Sequence, residues 1–326
     1  MNLMDSPRNI LRTIKAAKNI LIPLHLRPDG DSIGSALASY HFLHGLGKKA
    51  TVVSADPVPD IFLFLPGAKK IKIVDPAELD LTKFDLIFLV DNASPARFSK
   101  KGEIKFPSQT ILANIDHHES NRNFGDLNYV ISDSASTAEV LYDLIKSWRI
   151  ALTPEISNCL LTGVYTDTGG FLYPSTTAGS LDKAADLIRH GGNQKRIVEK
   201  AFRSWSPKAL RLWSEILART QIRKAVAYSS LPFAALKGTQ YSELSGIRSF
   251  AAANLLLATK GVGVAAVFTE EQPRRIRVTL RSSPGVNVSK VAEKFGGGGH
   301  EMSAAFDYRG PLKKIIPQAL KMLKTI

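Results

Sequence analysis

The 326-residue chain is poor in sulfur, with one cysteine and four methionines. A single thiol excludes an internal disulfide and a thiolate-based zinc site, so any metal must be held by imidazoles and carboxylates. That thiol, Cys159, lies in an apolar helical pattern and reads as a small core residue. Long apolar runs are also missing: none reaches the roughly 18 residues needed to span a bilayer. The N-terminal stretch has no signal-peptide core or cleavage site, and the expectation is a cytoplasmic protein. Acidic residues are in deficit, 29 against 43 Lys and Arg, for a net charge of +14. Much of the excess sits in pairs such as Lys48-Lys49, Lys69-Lys70 and Arg274-Arg275, each of which reads as a solvated face. The total favours an anionic partner, nucleic acid or a phosphorylated metabolite.

The length suggests about two domains, each large enough for its own core. In the N-terminal half, apolar strands alternate with helical patterns. Asn19–Leu24, Ala50–Val53, Lys72–Val74, Leu86–Val90 and Thr110–Ile115 read as strands. Ile33–Leu46, Thr137–Trp148 and Pro154–Tyr165 read as helices. Continuous apolar strands alternating with helices predict an α/β fold with a parallel, doubly wound sheet, whose ligands bind beyond the carboxyl ends of the strands. The expected division is a doubly wound α/β domain over 1–190, a helical connector over 191–220 and a smaller mixed α/β domain over 221–326. In that last part strands are expected at Ala225–Ser229, Val262–Phe268 and Arg275–Leu280. Helices are expected at Ser249–Thr259, Val288–Phe295 and the C-terminus.

Acidic and imidazole residues recur where the strands end. The first strand leads into His25-Leu26-Arg27-Pro28-Asp29-Gly30-Asp31. Taken alone, Asp29-Gly30 is a turn and Asp31 a helix N-cap. Leu86–Val90 delivers Asp91, and Thr110–Ile115 delivers Asp116-His117-His118. Asp167 follows a helical pattern and precedes a glycine-rich turn. Each has a structural explanation by itself, but one shared sheet edge lacks one: so many carboxylates repel unless cations sit between them. Oxygen and nitrogen donors without sulfur suit manganese, magnesium or zinc, and a carboxylate bridging two ions about 3.5–4 Å apart is a phosphoester-cleaving arrangement. Near the C-terminus, the run Gly296 to Gly299 followed by His300 reads either as a flexible helix terminus or as bare backbone N–H groups open to an anion.

The motifs His25-x-x-Pro-Asp29-Gly-Asp31-Ser-x-Gly-Ser35, Val90-Asp91-Asn-Ala-Ser94, Ile115-Asp-His-His118 and Thr162-Gly-Val-Tyr-Thr-Asp167-Thr-Gly169 resemble those of the DHH phosphoesterase family, in order. Phe295-Gly-Gly-Gly-Gly-His300 resembles the glycine-rich loop of the DHH-associated domain. Within the family the chain looks most like the nanoRNase group, which degrades short oligonucleotides and often dephosphorylates 3′-phosphoadenosine 5′-phosphate (pAp). The resemblance implies two divalent ions, manganese by family expectation, with magnesium, cobalt or zinc as alternatives. One would sit on His25, Asp29 and Asp91, the other on Asp31, Asp91, His117 and Asp167, with Asp91 as the bridge. It implies that His118 faces the scissile phosphate, that Asp116 orients the imidazoles, and that Gly297, Gly298, Gly299, His300, Arg281 and Ser283 contact substrate. Two departures, Ser303-Ala-Ala-Phe306 and Gly170 where many relatives carry Arg, bear on substrate length and terminal-phosphate preference.

The resulting expectation is a metal-dependent phosphodiesterase that trims short single-stranded oligonucleotides to mononucleotides. The alternatives are a phosphatase or phosphodiesterase for linear or cyclic dinucleotides and a catalytically silent nucleic-acid-binding protein. A homodimer is compatible with the sequence.

Overall fold

The computed structural model describes residues 5–236, 238, 239 and 241–324. The chain divides into two compact units, Met1–Ser204 and Trp205–Ile326, so the break falls inside the stretch read from sequence as a connector.

The first unit holds α1 (Pro7–Ala16), β1 (Asn19–Pro23), α2 (Gly30–Gly45), β2 (Lys49–Ser54), β3 (Lys72–Ile73), β4 (Leu86–Val90) and β5 (Ile111–Asp116). It continues with β6 (Leu127–Val130), α3 (Thr137–Ser147), α4 (Pro154–Asp167), α5 (Ala178–Arg189) and α6 (Gln194–Ile197). Its strands form one sheet of order β3-β2-β1-β4-β5-β6, paired in parallel throughout. The central strand β4, Leu-Ile-Phe-Leu-Val, is buried at every residue, as a strand covered on both faces must be. One face carries the main core, where Ile20, Ile22, Phe88 and Val90 pack with α2, α3 and α4. The other face holds Leu21, Ile87, Leu89 and Leu112 against Phe98 and Leu81.

From β1 the chain winds outward through β2 and β3, then returns to β4 and winds the other way. The switch point therefore lies between β1 and β4, where such folds bind their ligands. Behind it, α2 and α4 approach closely through small residues. A Cβ on Gly34 would lie 2.4 Å from the Cys159 carbonyl oxygen, and one on Gly163 would lie 2.5 Å from Oδ1 of Asp31. Cys159 is fully buried in this contact, in agreement with its reading as a core residue.

The second unit contains α7 (Pro207–Ala218), β7 (Gln221–Arg223), β8 (Val226–Leu231), α8 (Tyr241–Phe250), β9 (Val264–Gln272) and β10 (Arg275–Ser282). It ends with α9 (Ser289–Lys294), β11 (Gly298–His300), β12 (Ser303–Arg309) and α10 (Leu312–Leu323). The mixed sheet has order β11-β12-β10-β9-β8-β7, with β8 and β9 parallel. Alternation along β9 splits its side chains between two cores. Val264, Ala266 and Phe268 join Val278, Phe306 and Ile315, whereas Ala265 and Val267 join Leu212, Trp213 and Ile247.

Four strands are not read from the hydrophobic pattern: the short β6, β7 and β11, and the longer β12. β6 has no fully buried residue and β11 is two glycines and a histidine, so neither shows an apolar run. The helix expected over Ser249–Thr259 is instead the end of α8 followed by a π-helical turn, Ala251–Leu256. The N-cap of α2 is Asp29, whose Oδ1 accepts from Ser32 N at 3.0 Å; Asp31, the capping residue suggested by the local sequence, lies inside the first turn.

Candidate metal centre

β1, β4 and β5 are neighbours, so the residues after their carboxyl ends must meet. His25 follows β1, Asp91 follows β4, and Asp116 closes β5 just before His117 and His118. Asp29 and Asp31 come from the start of α2, and Asp167 is the last residue of α4. Asp91 lies at the middle. It is buried and adopts φ +59°, a left-handed conformation that costs a non-glycine residue about 1 kcal/mol and is characteristic of functional positions.

Nε2 of His25 lies 3.3 Å from Oδ2 of Asp91 and 3.6 Å from Oδ1 of Asp29. Nε2 of His117 lies 3.7 Å from Oδ1 of Asp91 and 3.3 Å from Oδ2 of Asp167. Potential donor atoms of His25, Asp29 and Asp91 fall within 4.8 Å of one another, as do those of Asp31, Asp91 and His117. The two groups share Asp91.

The imidazoles are held in two different ways. His25 Nδ1 lies 2.8 Å from the Leu26 carbonyl and His117 Nδ1 lies 3.2 Å from the Ser134 carbonyl. A carbonyl only accepts, so each Nδ1 donates and each Nε2 is turned to the carboxylates, the orientation that metal-ligating histidines adopt. His118 is reversed: its Nδ1 donates to Oδ1 of Asp116 at 2.7 Å. Asp116 is in turn held by Asn121, whose amide donates to Oδ2 at 2.6 Å.

Asp31 is held from a distant part of the sequence. Its Oδ2 accepts from Thr137 N at 2.7 Å, and its Oδ1 accepts from Ala138 N at 2.9 Å and from the Ser35 hydroxyl at 3.2 Å. These N–H groups belong to the first turn of α3, where the helix leaves donors unpaired and favours negative charge. Ser136 caps that helix, accepting from Glu139 N.

The charges are unbalanced. Among the described residues no lysine or arginine forms an ion pair with Asp31 or Asp91; the partners of Asp91 are imidazoles. Burial and the neighbouring Asp91 and Asp29 carboxylates push Asp31 well above the usual carboxylate range. Burial also opposes ionisation of Asp91, but His25, His118 and His117 outweigh it and hold its carboxyl low. Burial would strip the His25 proton, yet Asp29 and Asp91 retain it and push the imidazole up to about 10. His117 is lowered, first by burial and then by His118. His118 is raised, because Asp116 overcomes burial. Carboxylates crowded this closely call for positive charge between them, and an all-oxygen-and-nitrogen donor set of this kind fits hard or borderline divalent ions.

The expected substrate contacts of the second unit are arranged as follows. Gly298 to His300 pair with Ala305 to Ser303 as an edge strand. A Cβ on Gly297 would lie 2.3 Å from the Ala305 carbonyl oxygen, whereas one on Gly298 would meet nothing within 4 Å. Arg281 lies within β10, opposite Ser303 and Ala265, its guanidinium donating to the Leu280 carbonyl at 2.9 Å and to the Ser249 hydroxyl at 3.2 Å. Ser283 N donates to the Gly263 carbonyl at 2.9 Å.

Sequence reasoning missed Thr137, Asn121 and Ser134. The stretch Ser136-Thr-Ala-Glu139 carries a helix-start signal, but nothing local says that this helix start faces Asp31.

A parallel sheet of this order, with Asp-His-His at its carboxyl edge, defines a DHH-type catalytic domain. The sequence model of the DHH family N-terminal domain matches residues 19–164, and that of the DHHA1 domain matches residues 223–326. The chain belongs to the DHH family of phosphoesterases. It is 32% identical to the bifunctional oligoribonuclease and PAP phosphatase NrnA of Thermus thermophilus, over 94% of this chain and 89% of that protein. It is 26% identical to the Bacillus subtilis protein of the same name, over 90% of this chain and 91% of the relative. Among solved structures, an exopolyphosphatase-related protein from Bacteroides fragilis superposes with a TM-score of 0.85 at 27% identity, covering 98% of this chain and 97% of that one.

Proposed function

We propose that this phosphoesterase hydrolyses short single-stranded oligonucleotides to mononucleotides and removes the 3′-phosphate of pAp, using two divalent ions, most fittingly Mn2+. The observation that carries the reading is the shared position of Asp91, buried between His25 and Asp29 on one side and Asp31 and His117 on the other. The names of the relatives, oligoribonuclease and PAP phosphatase, support the substrate class.

In this reading His25, Asp29 and Asp91 hold one ion, and Asp31, Asp91, His117 and Asp167 hold the other. The bound pair would activate water and neutralise charge on the phosphoryl oxygens. The protein supplies the rest. The Leu26 and Ser134 carbonyls orient the two ligating imidazoles. Asp116 keeps a proton on Nδ1 of His118 and favours the imidazolium, a form suited to stabilising the departing oxygen or protonating it. In the second unit, the bare backbone around Gly298 and the Arg281 guanidinium offer donors to a substrate phosphate.

The test is a time course on end-labelled oligomers of graded length and on pAp, with and without Mn2+. Mn2+-dependent release of mononucleotides, fastest on the shortest oligomers and abolished in Asp91→Ala, is expected. Full activity in Asp91→Ala, or binding of oligomers that ignores chelator and yields no product, would sink the reading.

A further inference from the structure

We infer that Asn121 is the positioning residue that aims His118 at the leaving oxygen of the cleaved ester; this rests on the role given to His118 above. Its side-chain amide spans two acceptors. Nδ2 donates to Oδ2 of Asp116 at 2.6 Å and to the Asn92 carbonyl at 3.1 Å. An ionised carboxylate and a carbonyl only accept, so the amide nitrogen must face them, and both of its protons are used. The amide oxygen accepts from Asn123 N at 2.8 Å, and Asn121 N donates to the His118 carbonyl at 3.1 Å. The whole residue is thereby committed.

Its two acceptors lie at the ends of neighbouring strands. Asp116 closes β5 and is fully buried, and its other oxygen, Oδ1, accepts from His118 Nδ1 at 2.7 Å. Asn92 follows Asp91 after β4 and is equally buried; its carbonyl also accepts from the Asn114 amide at 3.2 Å. Asn121 therefore ties the Asp116–His118 pair to the peptide that carries Asp91, and His118 Nδ1 comes to lie 3.6 Å from Oδ1 of Asp91. With Nδ1 donating to Asp116, the proton that can be passed on is the one on Nε2. As the bond from phosphorus to the leaving ribose oxygen breaks, its electron pair stays on that oxygen. Nε2 supplies the proton, and water supplies the oxygen that takes its place on phosphorus. Without the Asn121 amide, Oδ2 of Asp116 loses its donor in a buried setting, and the carboxylate can turn and take the imidazole with it.

The experiment compares the full-length wild type with Asn121→Ala, Asn121→Asp, His118→Ala and the double variant Asn121→Ala/His118→Ala. Asn121→Asp keeps an acceptor for Asn123 N and removes the amide donor, so it separates the donor from a turn-forming role. Each protein is assayed with Mn2+ on a dinucleotide, whose leaving oxygen needs a proton, and on the p-nitrophenyl ester of thymidine 5′-phosphate, whose nitrophenolate leaves without one. Mn2+ affinity is measured by calorimetry. On the dinucleotide, kcat should fall about 10–100-fold in both Asn121 variants. The loss on the nitrophenyl ester should be far smaller, Mn2+ affinity should be unchanged, and the double variant should be no slower than His118→Ala, as for residues acting as one unit. Equal losses on the two substrates, a wild-type rate in Asn121→Asp, or a double variant slower than His118→Ala would overturn the assignment. If His118→Ala itself loses as much on the nitrophenyl ester as on the dinucleotide, the leaving-group role of His118 falls instead, and the assignment with it.

Discussion

Thr137 bonds two acidic residues at once: its hydroxyl donates to Oδ1 of Asp91 at 3.1 Å, and its backbone N–H donates to Oδ2 of Asp31 at 2.7 Å. One residue at the start of α3 thereby sets the orientation of two candidate ligands. Removing the hydroxyl should leave the fold intact and loosen Asp91. Thr137→Val is expected to weaken Mn2+ binding by about 10–100-fold, the usual effect of losing a group that orients a ligand, while Thr137→Ser retains most of the affinity. Calorimetric titration checks this, and equal affinity in wild type and Thr137→Val would refute it.

Metal removal should be visible in stability as well as turnover. Ions that bind only the folded chain stabilise it by mass action, about 2.7 kcal/mol at a hundredfold excess over Kd. Chelator is expected to lower the melting temperature, and Mn2+ to raise it in a concentration-dependent way. The Asp91→Ala variant should show neither response. A melting temperature indifferent to Mn2+ in the wild type would contradict the two-ion site.

Asp75 predicts a pH dependence away from the metal centre. Its carboxylate accepts from the Ser99 hydroxyl at 2.7 Å, Lys100 N at 2.8 Å and Ala77 N at 2.9 Å, fastening the loop after Arg97. Burial works against ionisation, but these donors outweigh it and hold the group below its ordinary 3.8. A lowered folded pKa means the stabilisation is complete above the unfolded value and is lost as pH falls through the folded one. Asp75→Asn should therefore cost about 2 kcal/mol at neutral pH, and the gap from wild type should close as pH drops below 3.8. Urea unfolding across that range is the measurement; a gap that stays constant with pH would disprove it.

The glycine run separates packing from binding. Gly297→Ala pushes a methyl into the Ala305 carbonyl and the Phe306 side chain, and should destabilise the second unit by about 1–3 kcal/mol. Gly298→Ala meets open space and should leave unfolding unchanged. If bare backbone at Gly298 approaches a phosphate, that same variant raises KM. Unaltered kinetics in Gly298→Ala would remove this strand from substrate binding.

Much of the candidate site was legible in the chain itself, because its donors follow apolar strands that announce their own ends. Leu86–Val90 is a continuous apolar run and Ile111–Ile115 is broken only by Asn114, so the positions of Asp91, Asp116, His117 and His118 follow from counting to where each strand stops. The donor chemistry was equally legible: with one buried cysteine, only imidazole and carboxylate remained.

What only the tertiary structure decided is how those groups are oriented. Hydrogen bonds across 106 and 107 residues of chain put the α3 N-terminus on Asp31, and the Ser134 carbonyl turns His117 one way while Asp116 turns its neighbour His118 the other. Strand ends are local events, written in a few consecutive side chains. Partners between segments exist only once the sheet order has brought them together, and short, part-exposed strands such as β6 and β11 leave no apolar run to betray that order.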